Sequence, residues 1–283
     1  MGANRVELIR HLVGLRGRSK PFIAEANDGV LYVVKYADLS TELFSLFCES
    51  IGTILLGALG LPVPEWRPLL LTESFLGSIK DIDLRLALKG HRSRSQLVFG
   101  SRYLGREFGR VLEILPSTDF GRLKNRKDFW LVWLLDVCAH QTDNRQAMFC
   151  ELADRRLSAH FIDHGSLFDT VNEDLHRQIV AAMYLDRRIY QGLSSLCLKS
   201  AISSLRSIDS DLVLRRAQCV PEAWLSVKGL QRLSDCLGRI STSGFVQRVS
   251  DGIAEIVEKD KASERGKNEK GKTQPASLLR PGL

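Results

Sequence analysis

The chain has 283 residues, 44% of them apolar and 26% charged, the balance of a globular protein with room for two lobes or two small domains. Its formal charge is +7, but Lys259 to Leu283 hold seven Lys/Arg against three Asp/Glu, leaving only +3 on the body. A basic tail is ordinarily a solvated one, so dedicated nucleic-acid binding is not the expected function. The opening residues carry arginines and no uninterrupted apolar run, so no signal peptide is expected. Six scattered cysteines without a C-x-x-C pair suggest neither zinc nor a redox motif and fit a reducing cytoplasm.

In chain order, residues 1–18 read as a short amphipathic helix, with Val6, Leu8, Ile9, Leu12 and Val13 among arginines. Two β-prone runs follow, Ser19 to Ala26 and Val30 to Tyr36, around Asn27-Asp28-Gly29. That turn predicts a hairpin. A helix is expected over 39–61, capped by Ser40 or Thr41, with Gly60 and Pro62 marking its end. Its apolar segment Ile51 to Val63 is shorter than the about 20 residues of a bilayer span and reads as buried. Glu65 to Thr72 and Gln96 to Leu104 read as strands. Residues 73–96 read either as a polar insertion or as helix pieces.

An apolar helix is predicted over Phe129 to Ala139. After it, Ala147 to Leu152 and Ser158 to Ile162 form a second expected hairpin around Ala153-Asp154-Arg155-Arg156. Leu175 to Val257 reads as helices broken near Pro221, Gly229 and Gly244. Beyond Glu258 the tail lacks apolar periodicity and is expected to be disordered.

Two aspartates sit at the mouths of apolar segments: Asp143 in Thr142-Asp143-Asn144-Arg145-Gln146, and Asp163 in Phe161-Ile162-Asp163-His164-Gly165. Phosphoryl transfer needs a cation on the phosphates, carboxylates and amides on Mg²⁺, and a group near the attacking hydroxyl. Lys35, ending a hairpin strand, fits the first role, and Glu49 in the following helix is placed to orient it. Asp143 is the candidate base or hydroxyl-orienting group. Asp163 is the candidate metal carboxylate, with Asn144 and Gln146 as neutral oxygen ligands. The segment Gly14 to Pro21, including Gly17 and Ser19, is small enough for backbone N–H groups to approach a phosphate. Taken singly, each is an ordinary strand-end lysine, exposed helix charge, turn aspartate or linker. Their order along the chain carries the signal. Neither a Walker lysine motif nor a G-x-S-x-G element is present.

The chain resembles the HipA-like kinase family, in the compact branch lacking the extra N-terminal domain of the HipA toxins. The matching stretches are Ser19 to Pro21, Tyr32 to Lys35, Leu59 to Pro64, Phe99 to Arg102, Asn125 to Phe129, Thr142 to Gln146 and Phe161 to Gly165, in order over roughly residues 15–170. The resemblance implies an α+β, bilobal protein-kinase-like fold akin to phosphatidylinositol-kinase-like enzymes. Its N-lobe (1–105) is small and β-rich with one long helix, and its C-lobe (106–258) is mostly helical. It implies ATP and Mg²⁺ as cofactors, Lys35 as the phosphate-binding lysine, Asp143 as the catalytic-loop aspartate and Asp163 as the metal aspartate. Two departures stand out. His140-Gln141 replaces the Asn that commonly precedes Thr-Asp, and the toxins' metal-binding amide falls on Met148, so Gln146 must substitute. The expected function is transfer of the γ-phosphate to a hydroxyl, on a protein Ser/Thr or on the chain itself. The alternative is a weak or inactive kinase-like scaffold binding a protein or nucleic acid. Expected partners are ATP and a protein hydroxyl acceptor, with room for a regulatory protein. Membrane association is not expected.

Overall fold

The computed structural model describes residues 5–17, 19–37, 42–169 and 174–272, with the backbone alone over 261–272. The chain opens on β1 (Leu8–Gly14), not on the helix expected over 1–18. This strand pairs antiparallel with β2 (Phe22–Ala26), and its register shifts between Leu8 and Arg10 and again between His11 and Val13. Such irregularities break the period of two, and the apolar spacing left behind imitates a helix. The predicted hairpin forms between β2 and β3 (Leu31–Lys35). At its turn Gly29 has φ 76°, and Asp28 accepts from the Val30 N–H.

Helix α1 spans Phe44–Ala58, shorter than the 39–61 expected, and the proposed caps Ser40 and Thr41 lie outside the described residues. Its end follows the sequence closely. Gly60 takes φ 70°, its N–H bonds the Gly57 carbonyl, and the Leu61 N–H bonds the Leu56 carbonyl. This is a Schellman stop, with buried Leu56 and Leu61 as its apolar pair. Next come β4 (Trp66–Leu70), α2 (Glu73–Ser78), α3 (Ile82–Arg92) and β5 (Leu97–Arg102). The region left open at 73–96 is therefore helical. Its two helices are capped by Thr72, accepting from Phe75 N–H, and Asp81, accepting from Leu84 N–H. The antiparallel sheet has the order β1-β2-β3-β5-β4, which puts β3 and its terminal Lys35 in the middle.

The short α4 (Leu104–Glu107), β6 (Val111–Leu112) and a 3₁₀ turn lead to α5 (Asp128–Cys138). Then come β7 (Gln146–Glu151) and β8 (Leu157–Ile162), a hairpin that β6 extends to three strands. Asn125 clips this hairpin to the start of α5 by bonding both the N–H and the carbonyl of Ala159. The Pro62 carbonyl accepts from Phe161 N–H and ties the end of α1 to β8. The rest is helical: α6 (Leu175–Ala181), α7 (Ser195–Arg206), α8 (Ser210–Ala217), α9 (Val227–Ser241) and α10 (Ser243–Lys272). Helix α10 runs to Lys272, into the stretch expected as a basic tail from 259 onward. Residues 273–283 lie outside the described residues.

Among the described residues two apolar cores form. One lines the sheet, with Leu8, Phe22, Tyr32, Val34, Leu69, Phe75 and Val98. The other is built on α5 and the later helices, and it takes in α1 through Leu46, Phe47, Ile51, Ile54 and Leu55. So α1, though it lies between strands of the sheet in sequence, shares its core with the helical part and with Phe99 of β5. Each such side chain stabilises by about 1.5–3 kcal/mol when fully buried.

Candidate active site

Alternation along β3 buries Val34 in the sheet core and turns Lys35 to the other face. There its side chain is only 14% exposed, and its ammonium pairs with Glu49 Oε1 and, at 2.8 Å, with Asp163 Oδ1. Glu49 rises from α1 between apolar neighbours and is 4% exposed. Its Oε2 also accepts from the His164 N–H at 3.1 Å. One lysine from the sheet, one glutamate from α1 and one aspartate from the end of β8 thus meet over 128 residues of sequence.

The electrostatics follow from this packing. Burial alone would lower the Lys35 ammonium, but Glu49 and Asp163 outweigh it and hold the group raised and charged. Burial raises Glu49 against the opposing pull of Lys35. Asp163 is half-buried, and Lys35 prevails over that desolvation and holds its carboxyl below the usual range. The outcome is a cation gripped by an ionised Asp163 and a strongly desolvated Glu49.

Two glycines make the grip possible. A Cβ on Gly52 of α1 would stand 2.3 Å from the Cβ of His164, and a Cβ on Gly165 would stand 3.0 Å from Glu49 Oε1. Asp163 itself has φ 61°, a left-handed conformation that Asp tolerates better than most residues.

Asp143 lies in the loop after α5 and is exposed. That loop is laced to the loop after β8. Phe168 N–H donates to the Ala139 carbonyl at 2.9 Å, and the Gln141 amide to the Asp163 carbonyl at 3.5 Å. The Thr142 hydroxyl donates to Asp169 at 3.0 Å. Asn144 gives its amide N–H groups to the carbonyls of Ala181 and Met183, which commits its nitrogen and not its oxygen. Gln146 begins β7 opposite Ile162, at the same end of the hairpin as Asp163.

Gly17 and Ser19 stand in the turn between β1 and β2. Phe22, just after that turn, pairs with Val34, so the turn is at the Lys35 end of the sheet. Among the described residues no hydrogen bond or ion pair joins Gly17 or Ser19 to Lys35, Glu49 or Asp163.

Sequence reading missed three residues. Arg145 is 2% exposed and forks onto Asp136 of α5, with Nε to Oδ2 at 2.7 Å and a second short bond to Oδ1. Its other terminal nitrogen donates to the Ile162 carbonyl at 3.0 Å and to His164 Nδ1 at 2.8 Å. Arg only donates, so His164 accepts at Nδ1 and is neutral. Burial, with Arg145 and Lys35 nearby, pushes its pKa far down in agreement. The available signal was Asp136, a lone charge inside the apolar run Phe129 to Cys138, which demands a buried partner.

Asp163 offers one carboxylate to a divalent cation. Among the described residues no three His, Cys, Asp or Glu side chains gather as a metal cluster. One ionised carboxylate is present, Asp163; Gln146 lies at the same end of the hairpin, and the Asn144 amide is held against the carbonyls of Ala181 and Met183. Mg²⁺ takes one or two carboxylates and completes its shell with phosphate and water oxygens.

The sheet with its central lysine, the inserted helix and the helical second part define a protein-kinase-like fold. One solved structure agrees with this fold. The Helicobacter pylori proinflammatory kinase CtkA superposes with a TM-score of 0.55 at 13% identity, over 88% of this chain and 98% of that one. The Golgi casein kinase with Mn/ADP bound gives 0.47 at 13% identity, over 88% and 72% of the two chains. A second structure of the Golgi casein kinase gives 0.46 at 14% identity, over 88% and 73%. No protein-family model matches the chain, and no curated protein matches it. Among the described residues no helix is long and apolar enough to cross a membrane.

Proposed function

We propose that the chain is a HipA-like, ATP- and Mg²⁺-dependent kinase that transfers the γ-phosphoryl group to a hydroxyl, on a protein Ser/Thr or on itself. The observation that carries this reading is the Lys35 ammonium held between Glu49 and Asp163. A lysine–glutamate pair and a metal aspartate are the parts a kinase must have in place at once. In this reading the lobes divide at 105/106. Lys35 binds the phosphates and Glu49 orients it. Asp163 would hold the metal, with Asn144 and Gln146 as candidate oxygen ligands, and the Gly17–Ser19 turn would offer backbone N–H groups to a phosphate. When bound, Mg²⁺ supplies charge neutralisation on the β- and γ-phosphate oxygens. Asp143, exposed and reachable, orients the acceptor hydroxyl and takes its proton as the acceptor oxygen bonds phosphorus and ADP leaves.

The test is incubation with γ-labelled ATP and Mg²⁺, wild type beside Asp143→Asn. Label on protein, or inorganic phosphate released, from wild type alone is the expected result. Absence of both transfer and ATP binding would refute the reading. One observation favours a weak or inactive kinase-like scaffold instead: Met148, where the toxins carry a metal-binding amide, has no oxygen to offer. ATP binding without transfer to itself or to any offered acceptor protein is its signature.

A further inference from the structure

Arg145 is a full positive charge placed where water does not reach, two residues after Asp143. Among the described residues its ion pair is with Asp136, through two parallel bonds. Replacing such a buried pair by apolar side chains is often neutral or stabilising, so fold stability alone does not explain it. The remaining contacts are more particular. They go to the carbonyl of Ile162 and the ring of His164, the residues on either side of Asp163. Asp163 stands between those two anchors in a left-handed conformation with φ 61°, which a non-glycine residue holds only when its surroundings fix it. The backbone N–H of Arg145 donates to the Met183 carbonyl, which also receives the Asn144 amide.

We propose that Arg145, seated on Asp136, is a positioning residue that sets the Asp163 loop against the Asp143 loop. The proposal rests on the kinase reading of those two aspartates. It assigns Arg145 no contact with nucleotide, metal or acceptor. Its action is to hold the flanks of one carboxylate from a point fixed in the chain to the other. Lysine cannot replace it, since an ammonium lacks the planar fork that reaches a carboxylate, a carbonyl and a ring nitrogen together.

The experiment uses the full chain and four proteins: wild type, Arg145→Met, Arg145→Met combined with Asp136→Leu, and Arg145→Lys. Three quantities are read on each: the melting temperature, the turnover of γ-labelled ATP with Mg²⁺, and the affinity for Mn²⁺ with ADP by electron paramagnetic resonance. The single Met variant leaves Asp136 buried and unpaired and melts early. The double variant is expected to regain melting temperature but not turnover. Its kcat falls about 100-fold with KM for ATP little changed, the signature of misplaced groups. Mn²⁺ affinity in the presence of ADP falls about tenfold, as it does when the residues orienting a metal ligand are lost. A double variant whose turnover and Mn²⁺ affinity return with its melting temperature would overturn the proposal. If the double variant does not fold, Arg145→Lys decides: folded but slow supports the proposal, folded and fully active overturns it. A wild type that neither binds Mn²⁺ with ADP nor turns over ATP would overturn the kinase reading, and the proposal with it.

Discussion

Gly52 and His164 touch where α1 crosses the loop after β8, so closely that no side chain fits at Gly52. This contact lets Glu49, three residues earlier, reach both Lys35 and the His164 N–H. Gly52→Ala is therefore expected to destabilise the chain although alanine is the better helix former by about 1 kcal/mol. The forced separation costs about 1–3 kcal/mol, as overpacking does. Thermal melting with and without ATP and Mg²⁺ checks this. The expected result is an earlier melt and a smaller nucleotide-induced shift.

Lys35→Ala leaves two carboxylates facing each other without their cation. Glu49 is deeply buried, while the Asp163 side chain is 37% exposed and is partly relieved by water. A loss of about 3 kcal/mol is expected, the low end for breaking a buried pair. Urea unfolding at neutral pH measures it, and nucleotide binding should vanish in the same variant.

Asp143 is exposed, and Asp143→Asn should leave the melting temperature close to that of wild type. Turnover should drop by about 10²–10⁴, the range for losing a positioned proton acceptor. A variant that melts early instead would mark Asp143 as a structural turn residue.

His140 offers a pH test independent of catalysis. Burial, with Arg239 and Arg232 nearby, lowers its pKa from 6.5 to about 4. The unfolded chain therefore binds a proton that the folded chain refuses. Stability from this residue is complete above pH 6.5 and is lost as pH falls from there toward 4. His140 has φ 52°, a conformation Asn accepts well. His140→Asn should flatten the acid limb of a stability–pH curve taken by urea unfolding, without lowering stability at pH 7.

Where local chemistry decides, the sequence was readable. Asn27-Asp28-Gly29 names its turn, Gly60 and Pro62 stop their helix, and the apolar run of α5 identifies itself. The kinase-like fold follows from the order of those elements, and Lys35, Glu49 and Asp163 proved to be in contact. What was not readable depends on pairing across the chain. β1 is a strand only because β2 pairs with it, and its bulges hide the alternation. Nothing local marks Arg145 as buried, since its partners come from α5 and from either side of Asp163.

Glu49 rises from a helix that shares its core with the helical part, and its Oε2 is held by the His164 N–H beside Asp163. Both carboxylates that grip Lys35 therefore depend on one packed region, while the lysine itself comes from the sheet. A core substitution in α1 is thus felt at two of the three charged groups at once.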